Sequence, residues 1–310
     1  MSKIKTAIKL LKHNRNEFIA SILMHLNFLF PDKLYLSLLF RFKMGYWIDW
    51  KNPKTFSEKL QWLKLYDRRS EYTTIVDKCA VKEYVAKLIG EEYIIPTLGV
   101  WDRPEDIDWD SLPQKFVLKT THGGGGSGVL ICKDKTTFDK NNAIAKLKKS
   151  LSKCIYKSLR EWPYKNVDRK VIAEVYLDST TQSSSDFDLK DYKFFCFNGQ
   201  PEFCQVISGR ANEMCVDFYN MEWEHQSFHE PKDYPFSKTK HIKPSCFEEM
   251  SRLASILSNG FSFLRVDFYE LEDKVYFGEL TFFPTSGFGG FNPSDWDYKI
   301  GEMIKLPFKN

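Results

Sequence analysis

The sequence has no closely paired cysteines, no unbroken apolar stretch long enough to span a bilayer and no strong excess of either charge. Its seven cysteines, Cys79, Cys132, Cys154, Cys196, Cys204, Cys215 and Cys246, are odd in number and never spaced CxxC. That speaks against a disulfide framework or a zinc knuckle and for a reducing cytoplasm. The most apolar run, Phe18 to Phe30, is interrupted by His25 and Asn27 and falls short of the about 20 residues a spanning helix takes. The cleavage-site pattern of a secreted protein is missing as well. This run is expected to form an amphipathic helix packed on the protein body. Docking at the inner face of the membrane is the alternative, because Lys3, Lys5, Lys9, Lys12 and Arg15 lie beside it. A net charge of +4 lacks the dense basic footprint of a nucleic-acid binder, so no nucleic-acid partner is expected; it suits anionic substrates.

What is abundant is aromatic: 26 Phe and 15 Tyr bring the aromatic share to 16%, which predicts substantial sheet. A chain of 310 residues suits one large or a few closely packed lobes. Residues 1–50 read as mostly helical. A new helix follows Pro53, capped by Thr55 or Ser57, and another is predicted over Val76 to Leu88, stopped by Gly90. Tyr93 to Ile95 reads as a strand. Then KFVLKTTHGGGGSGVLIC reads as strand, glycine loop, strand, and Lys140 to Leu159 as one basic helix. VIAEVYL is a short strand, and DSTTQSSSDFD a loop. LKDYKFFCFNGQPEFCQVI is a hairpin turning at Asn198-Gly199. Glu248 to Leu257 is a helix, and FLRVDFYELEDKVYFGELTFFP a second hairpin, turning at Glu272-Asp273-Lys274. Helices first and antiparallel hairpins later argue for α+β.

Four constellations can carry chemistry. Lys119 ends a strand and is followed by His122, Gly123, Gly124, Gly125, Gly126, Ser127 and Gly128. A glycine run is costly to order, yet it lets backbone N–H groups approach phosphate oxygens. It is neither a Walker A loop nor a dinucleotide fingerprint, because it opens into a strand; a flexible hairpin tip is the plain alternative. In the last hairpin, folding about Asp273 sets Asp267 nearly opposite Glu279, with Arg265 and Thr281 on the same faces. Two such carboxylates repel unless a positive charge sits between them. Magnesium fits, since it takes one or two carboxylates plus phosphate oxygens; a solvent-facing salt-bridge ladder also fits. Glu174 is an isolated acid in an apolar strand. Asp191 and Lys193 share one strand face, either in a cleft or as an ion pair. His225 and His229 have helical spacing without the glutamate of a metalloprotease motif.

FVLKTTHGGGGSGV, VIAEVYL, DYKFFCFNG and LRVDFYELEDKVYFGELTFFP stand in the order and spacing of ATP-grasp enzymes. With NPKTFSEKLQWLKLYDR and VDKCAVKEYV upstream, the chain resembles the TupA-like ATP-grasp proteins of bacterial cell-surface polysaccharide and teichuronopeptide clusters over roughly residues 30–300. The resemblance implies an α+β ATP-grasp fold: two lobes clasping ATP behind a helical N-terminal region. Its divisions would be 1–50, 51–112, 113–178 (the lid subdomain) and 179–310 (the catalytic lobe). Lys119 and Lys193 would contact phosphates under a lid formed by Gly123 to Gly128. Glu174, Val175, Tyr176 and Leu177 would lie beside adenine. Asp267 and Glu279 would hold magnesium, with Thr281 where most relatives carry asparagine, and Arg265 would stabilise an acyl phosphate. The implied reaction is an ATP- and magnesium-dependent carboxylate–amine ligation, joining an amine or amino acid to a carboxylated sugar of a surface polysaccharide. A glycosyltransferase is the alternative, with Asp186-Phe187-Asp188 as a DxD candidate.

Overall fold

The computed structural model describes residues 14–124, 128–178, 190–209, 213–230 and 234–307. Helices α1 (Arg15–His25) and α2 (Asp32–Met44) form a hairpin, and α3 (Phe56–Tyr66), α4 (Glu71–Val76) and α5 (Ala80–Ile89) follow. The helix expected over Val76 to Leu88 begins four residues later, at Ala80, and Val76 ends the helix before it. Asp77 lies between the two, its carboxylate accepting from the N–H groups of Cys79 and Ala80 at 2.8 and 3.2 Å. The Tyr93 to Ile95 strand is absent: Glu91–Tyr93 form a 3₁₀ turn, and β1 runs over Thr97–Trp101. β2 (Phe116–Thr120), β3 (Val129–Cys132) and β4 (Val171–Val175) complete a four-stranded antiparallel sheet in the order β1-β4-β2-β3. The sheet therefore begins upstream of residue 113, because β1 pairs with the free edge of β4. The basic helix between β3 and β4 is split, into α6 (Lys140–Leu151) and α7 (Ile155–Leu159).

The second sheet has five antiparallel strands in the order β7-β6-β5-β8-β9. They are β5 (Asp191–Phe197), β6 (Gln200–Ser208), β7 (Cys215–Asn220), β8 (Phe263–Leu271) and β9 (Lys274–Thr281), with α8 (Phe247–Ser258) between β7 and β8. The Asn198-Gly199 turn forms as expected, both residues at positive φ. The last hairpin is tighter than expected. Glu272 and Asp273, at φ 52° and 57°, make a two-residue turn, and Lys274 already pairs with Leu271. All of β5 is buried. Phe194 packs on Phe247 of α8 at 5.6 Å between ring centroids. On the other face, Phe197 meets Phe263 and Phe56 of α3 at 5.3 and 6.4 Å. Residues of α3, α4 and α5 thus share one core with this sheet, while the four-stranded sheet packs a smaller core with Leu147 of α6. The 51–112 segment divides between the two cores: Phe56 to Val85 pack with the five-stranded sheet, and Ile107 and Leu112 with the four-stranded one.

Thr55 rather than Ser57 caps α3, in a capping box with Glu58, each side chain bonding the other's backbone N–H at 3.1 Å. Ser57 is left for a longer-range contact. Its N–H and hydroxyl donate to Asp297 of α9 (Asp295–Met303) at 3.2 and 3.1 Å. Among the described residues, no helix is long and apolar enough to cross a membrane.

Burial pushes the Asp297 carboxyl up to about 6, against the hydrogen bonds from Ser57. The fold thus favours the protonated acid. That stabilisation is complete below the unfolded value near 4 and is lost as pH rises through about 6. Asp297→Asn keeps an acceptor without the charge. Relative to the parent, it is expected to gain roughly 2–3 kcal/mol of stability between pH of about 4 and 7. Denaturant melts at several pH values check this; parallel curves for the two proteins would refute it.

Candidate active site

The candidate site starts at one end of the five-stranded sheet, on the face that α8 does not cover. Cα pairing sets Lys193 beside Asp267 and Asp267 beside Glu279, with Arg265 beside Thr281. In an antiparallel pair, residues directly opposite share a face. From a two-residue turn, unbroken pairing would set Asp267 against Gly278 and send Glu279 to the opposite face. The register shifts by one between Asp267 and Phe268, which makes Gly278 the extra residue of a β-bulge and turns Glu279 back beside Asp267. The bulge also brings backbone close: a Cβ on Gly278 would lie 3.0 Å from the Asp267 carbonyl oxygen and 3.2 Å from the Tyr269 ring.

The side chains form one network. Arg265 donates through Nε to Asp267 Oδ1 at 2.7 Å, and through Nη2 to Asp267 Oδ2 at 2.7 Å, Glu279 Oε1 at 2.9 Å and Thr281 Oγ1 at 3.1 Å. Lys193 bonds Asp267 and lies 2.9 Å from Asp191 Oδ2. The Lys78 ammonium reaches Glu279 Oε2 at 3.1 Å. Burial pushes the Asp267 carboxyl up, against Arg265 and Lys193. Burial also acts to raise Glu279, but Lys78, Lys193 and Arg265 outweigh it and hold that carboxyl far below its ordinary range. Burial would lower the Lys193 ammonium, and Asp191 with Asp267 raises it instead.

On the four-stranded sheet, Val117 of β2 faces Glu174 of β4. Lys119 Nζ lies 2.5 Å from Glu174 Oε2, and Lys82 of α5 lies 2.5 Å from Oε1. Lys82 also donates to the Ile95 carbonyl at 2.7 Å and the Thr97 hydroxyl at 3.0 Å. Burial would raise the Glu174 carboxyl, and the two ammonium groups hold it below its usual range. Val175 ends β4, with Tyr176 and Leu177 directly after it. Of the glycine run, Gly123, Gly124 and Gly128 are described, whereas Gly125, Gly126 and Ser127 lie outside the described residues. Gly128 closes the hairpin, its carbonyl accepting from Thr120 N–H at 3.2 Å. At φ +90°, a Cβ there would collide with the Ser150 and Thr120 hydroxyls at 2.3 and 2.5 Å. His122 is buried, with Nε2 3.2 Å from the Lys153 carbonyl.

Lys78 and Lys82 carried no role in the sequence reading. They stand four residues apart in VDKCAVKEYV, Lys78 in the turn before α5 and Lys82 within it, and no local signal marks them. Lys78 joins the sheets directly. Its N–H donates to the Thr121 carbonyl at 2.9 Å, beside β2, while its side chain reaches Glu279 on β9. His225 and His229 do not converge: His225 bonds Asp217 at 2.9 Å, and His229 bonds the Glu230 carbonyl at 2.9 Å. Asp186 to Asp188 lie outside the described residues.

Among the described residues, no three His, Cys, Asp or Glu side chains gather into a metal cage. The donor set nevertheless fits magnesium. Asp267 and Glu279 are carboxylates that converge on one atom, Arg265 Nη2, at 2.7 and 2.9 Å, and magnesium takes one or two carboxylates together with phosphate oxygens. The Thr281 hydroxyl also lies 3.4 Å from Glu279 Oε1. Directly after β9, Thr285, Ser286 and Gly287 all take positive φ. Lys64 and Gln61 of α3 hold this bend by donating to the Ser286 carbonyl at 2.7 and 3.1 Å.

Two antiparallel sheets, a glycine hairpin on one and a carboxylate pair beside lysine and arginine on the other, define the ATP-grasp class. Residues 58–305 match the TupA-like ATPgrasp family model, and the chain belongs to that family. No curated protein matches it. The chain is similar to the D-alanine–D-alanine ligase of Helicobacter pylori, with 16% identity, a TM-score of 0.41, and coverage of 80% of this chain and 69% of that one. It is similar to the same ligase of Bacillus anthracis, in complex with ATP, at 17% identity and TM-score 0.38, covering 67% of this chain and 53% of that one. A RimK domain ATP-grasp protein of Sphaerobacter thermophilus gives 11% identity and TM-score 0.43, with 77% and 70% covered.

Gly278→Val is expected to disturb the bulge and turn Glu279 away from Asp267, while leaving Lys119, Lys82 and Glu174 in place. Magnesium-dependent ATP turnover should fall at least about tenfold, because misplacement near 1 Å can cost more than that. ADP release measured against magnesium concentration checks this; a parent-like titration would show that the bulge does not place Glu279.

Proposed function

We propose that this chain is an ATP- and magnesium-dependent carboxylate–amine ligase working through an acyl phosphate. Its substrates would be a carboxylated sugar or polysaccharide precursor and an amine or amino acid. The observation that carries the reading is the convergence of Asp267, Glu279, Arg265 and Lys193 on one strand face, joined through Lys78 to the sheet that bears Lys119 and Glu174. A ladder of solvent-facing ion pairs would not bury Lys193 and Asp267. Burying them is costly unless their charges are used or fully matched.

Each group has a chemical task. ATP supplies the phosphoryl group that makes a carboxylate oxygen, otherwise a poor leaving group, able to depart. The carboxylate oxygen bonds the γ-phosphorus as ADP leaves; the amine nitrogen then bonds the acyl carbon as phosphate leaves and a proton passes to solvent. Lys119 and Lys193 would bind phosphate oxygens, and Glu174 holds Lys119 and Lys82 in place for this. Asp267 and Glu279 would hold magnesium, with the Thr281 hydroxyl at its edge. Arg265 offers positive charge where negative charge builds up on the transferring group. Gly123 to Gly128 would exclude water from the phosphate. The loop Thr285 to Gly290, whose bend Lys64 and Gln61 brace, would be where the acceptor enters.

Asp267→Asn and Glu279→Gln should each lower ATP turnover by about 10²–10³-fold, the range for losing one preorganised electrostatic group. ADP release would be screened with amino acids against uronic-acid acceptors, and products identified by mass spectrometry. Full activity in both variants would refute the metal assignment. Selective binding of a UDP-sugar over ATP would favour a glycosyltransferase instead.

A further inference from the structure

We propose that the outer surface of α6, α7 and the turns beside them is a docking strip for a polymer that carries carboxylates along its length. Charge in this chain is segregated. Residues 133–170 hold 12 basic and 4 acidic residues, a net charge of +8, whereas the whole chain has +4, so the remaining residues together carry −4. Such asymmetry points to an anionic partner. Lys133, Lys146, Lys149, Lys153, Lys157 and Lys165 are exposed, and none of the six forms an ion pair with a carboxylate among the described residues. Their neighbours Lys148 and Lys170 do, with Glu105 and with Asp102 and Asp168. The four acids of the segment are used internally. Asp134 accepts from the Thr136 N–H and hydroxyl at 2.9 and 2.6 Å. Asp139 caps α6, accepting from the Asn142 N–H at 2.9 Å. Buried Glu161 accepts from the Ser286 hydroxyl, and Asp168 lies 3.4 Å from Lys170.

The arrangement of the six lysines favours a chain over a single anion. Ala143, Leu147 and Ser150 form the buried side of α6. Lys146 and Lys149 stand three residues apart on one flank of it, and Lys153 follows four residues later, just past its end. The strip continues to Lys157 on α7 and to Lys165, whose ammonium lies 5.3 Å from the Tyr156 ring centroid. Charges spread along a line match an anion repeated along a polymer. The strip also borders the candidate site. His122, at the base of the glycine hairpin, lies 3.2 Å from the Lys153 carbonyl, and the Thr120 and Ser150 hydroxyls are 2.9 Å apart. A polymer held here lies beside the hairpin that follows Lys119, so the repeats next to the reacting one would anchor it. The choice of carboxylate as the repeated anion rests on the proposed ligase reaction. Other polyanions fit less well. No large apolar side chain of residues 133–170 is exposed, so nothing there would enter the acyl boundary of a membrane. Lysine ammonium groups without exposed aromatic rings lack the stacking platforms and bidentate phosphate grip of a nucleic-acid surface.

Calorimetric titration of the full chain with polygalacturonate, in the absence of nucleotide, tests the proposal. The polymer is expected to bind, and to be released when salt near 1 M shortens the Debye length to about 3 Å. Galacturonate itself and neutral dextran should bind far more weakly. The triple change Lys146→Gln, Lys149→Gln and Lys153→Gln should weaken polymer binding at least about tenfold without lowering the melting temperature. The same change at Lys238, Lys240 and Lys274, exposed elsewhere on the surface, should leave it as in the parent. No binding of polygalacturonate overturns the proposal, as does an equal loss from the two triple variants. So does tighter binding of duplex DNA or of phosphatidylglycerol vesicles than of polygalacturonate at the same salt. The readout needs neither ATP nor magnesium, so a negative result leaves the proposed ligation standing, and a chain that fails to turn over ATP can still be scored for the strip.

Discussion

Asp267 and Glu279 stand side by side on neighbouring strands, where two like charges repel and burial adds to the cost. Most of the surrounding architecture supplies counter-charge to this pair. Arg265 comes from the same strand as Asp267, Lys193 from the next strand, and Lys78 from the loop before α5. Each arrives by a different structural route, so the pair can exist only if the strand order, the bulge and the helix docking are all correct. The site is thus a consequence of the whole fold rather than of one motif.

The same counter-charge links the two sheets. Lys78 uses its backbone on one and its side chain on the other, and a few residues on, Lys82 closes over Glu174. A change that neutralises Glu279 would therefore act on the relation between the sheets as well as on metal binding. Arg265, Lys193 and Lys78 offset the burial of the two carboxylates, and that matching is what a bound metal and triphosphate would have to rearrange.

Much of this was legible beforehand. The alternation in β5, β8 and β9, the Asn198-Gly199 turn and the strands on either side of the glycine run are local signals, and each maps onto the element expected. The pairing of Asp267 with Glu279 was reached on a different premise. A turn centred on Asp273 gives that pairing directly, whereas the protein uses a tighter turn and recovers one residue at Gly278. Both routes give the same partner, because a bulge and a longer turn each add one residue to the same arm. The helix start expected at Val76 falls at Ala80 because Asp77 caps the N–H groups of Cys79 and Ala80, and the basic helix expected over Lys140 to Leu159 breaks after Leu151; neither break shows in apolar spacing.

The sequence by itself determined the classes of chemistry available: a strand-end lysine before a glycine run, acids on alternating strands, and an arginine two residues from one of them. These are matters of residue type and short-range periodicity, which the chain carries locally. The tertiary structure decided which charges meet. That Lys78 and Lys82 of VDKCAVKEYV face Glu279 and Glu174 depends on contacts 201 residues away in one case and across a docked helix in the other. No local pattern encodes such contacts. The apolar run at the N-terminus divides in the same way: its composition is plain in the sequence, but only the buried Arg160, 133 residues from Asn27, fixes which of its side chains face outward.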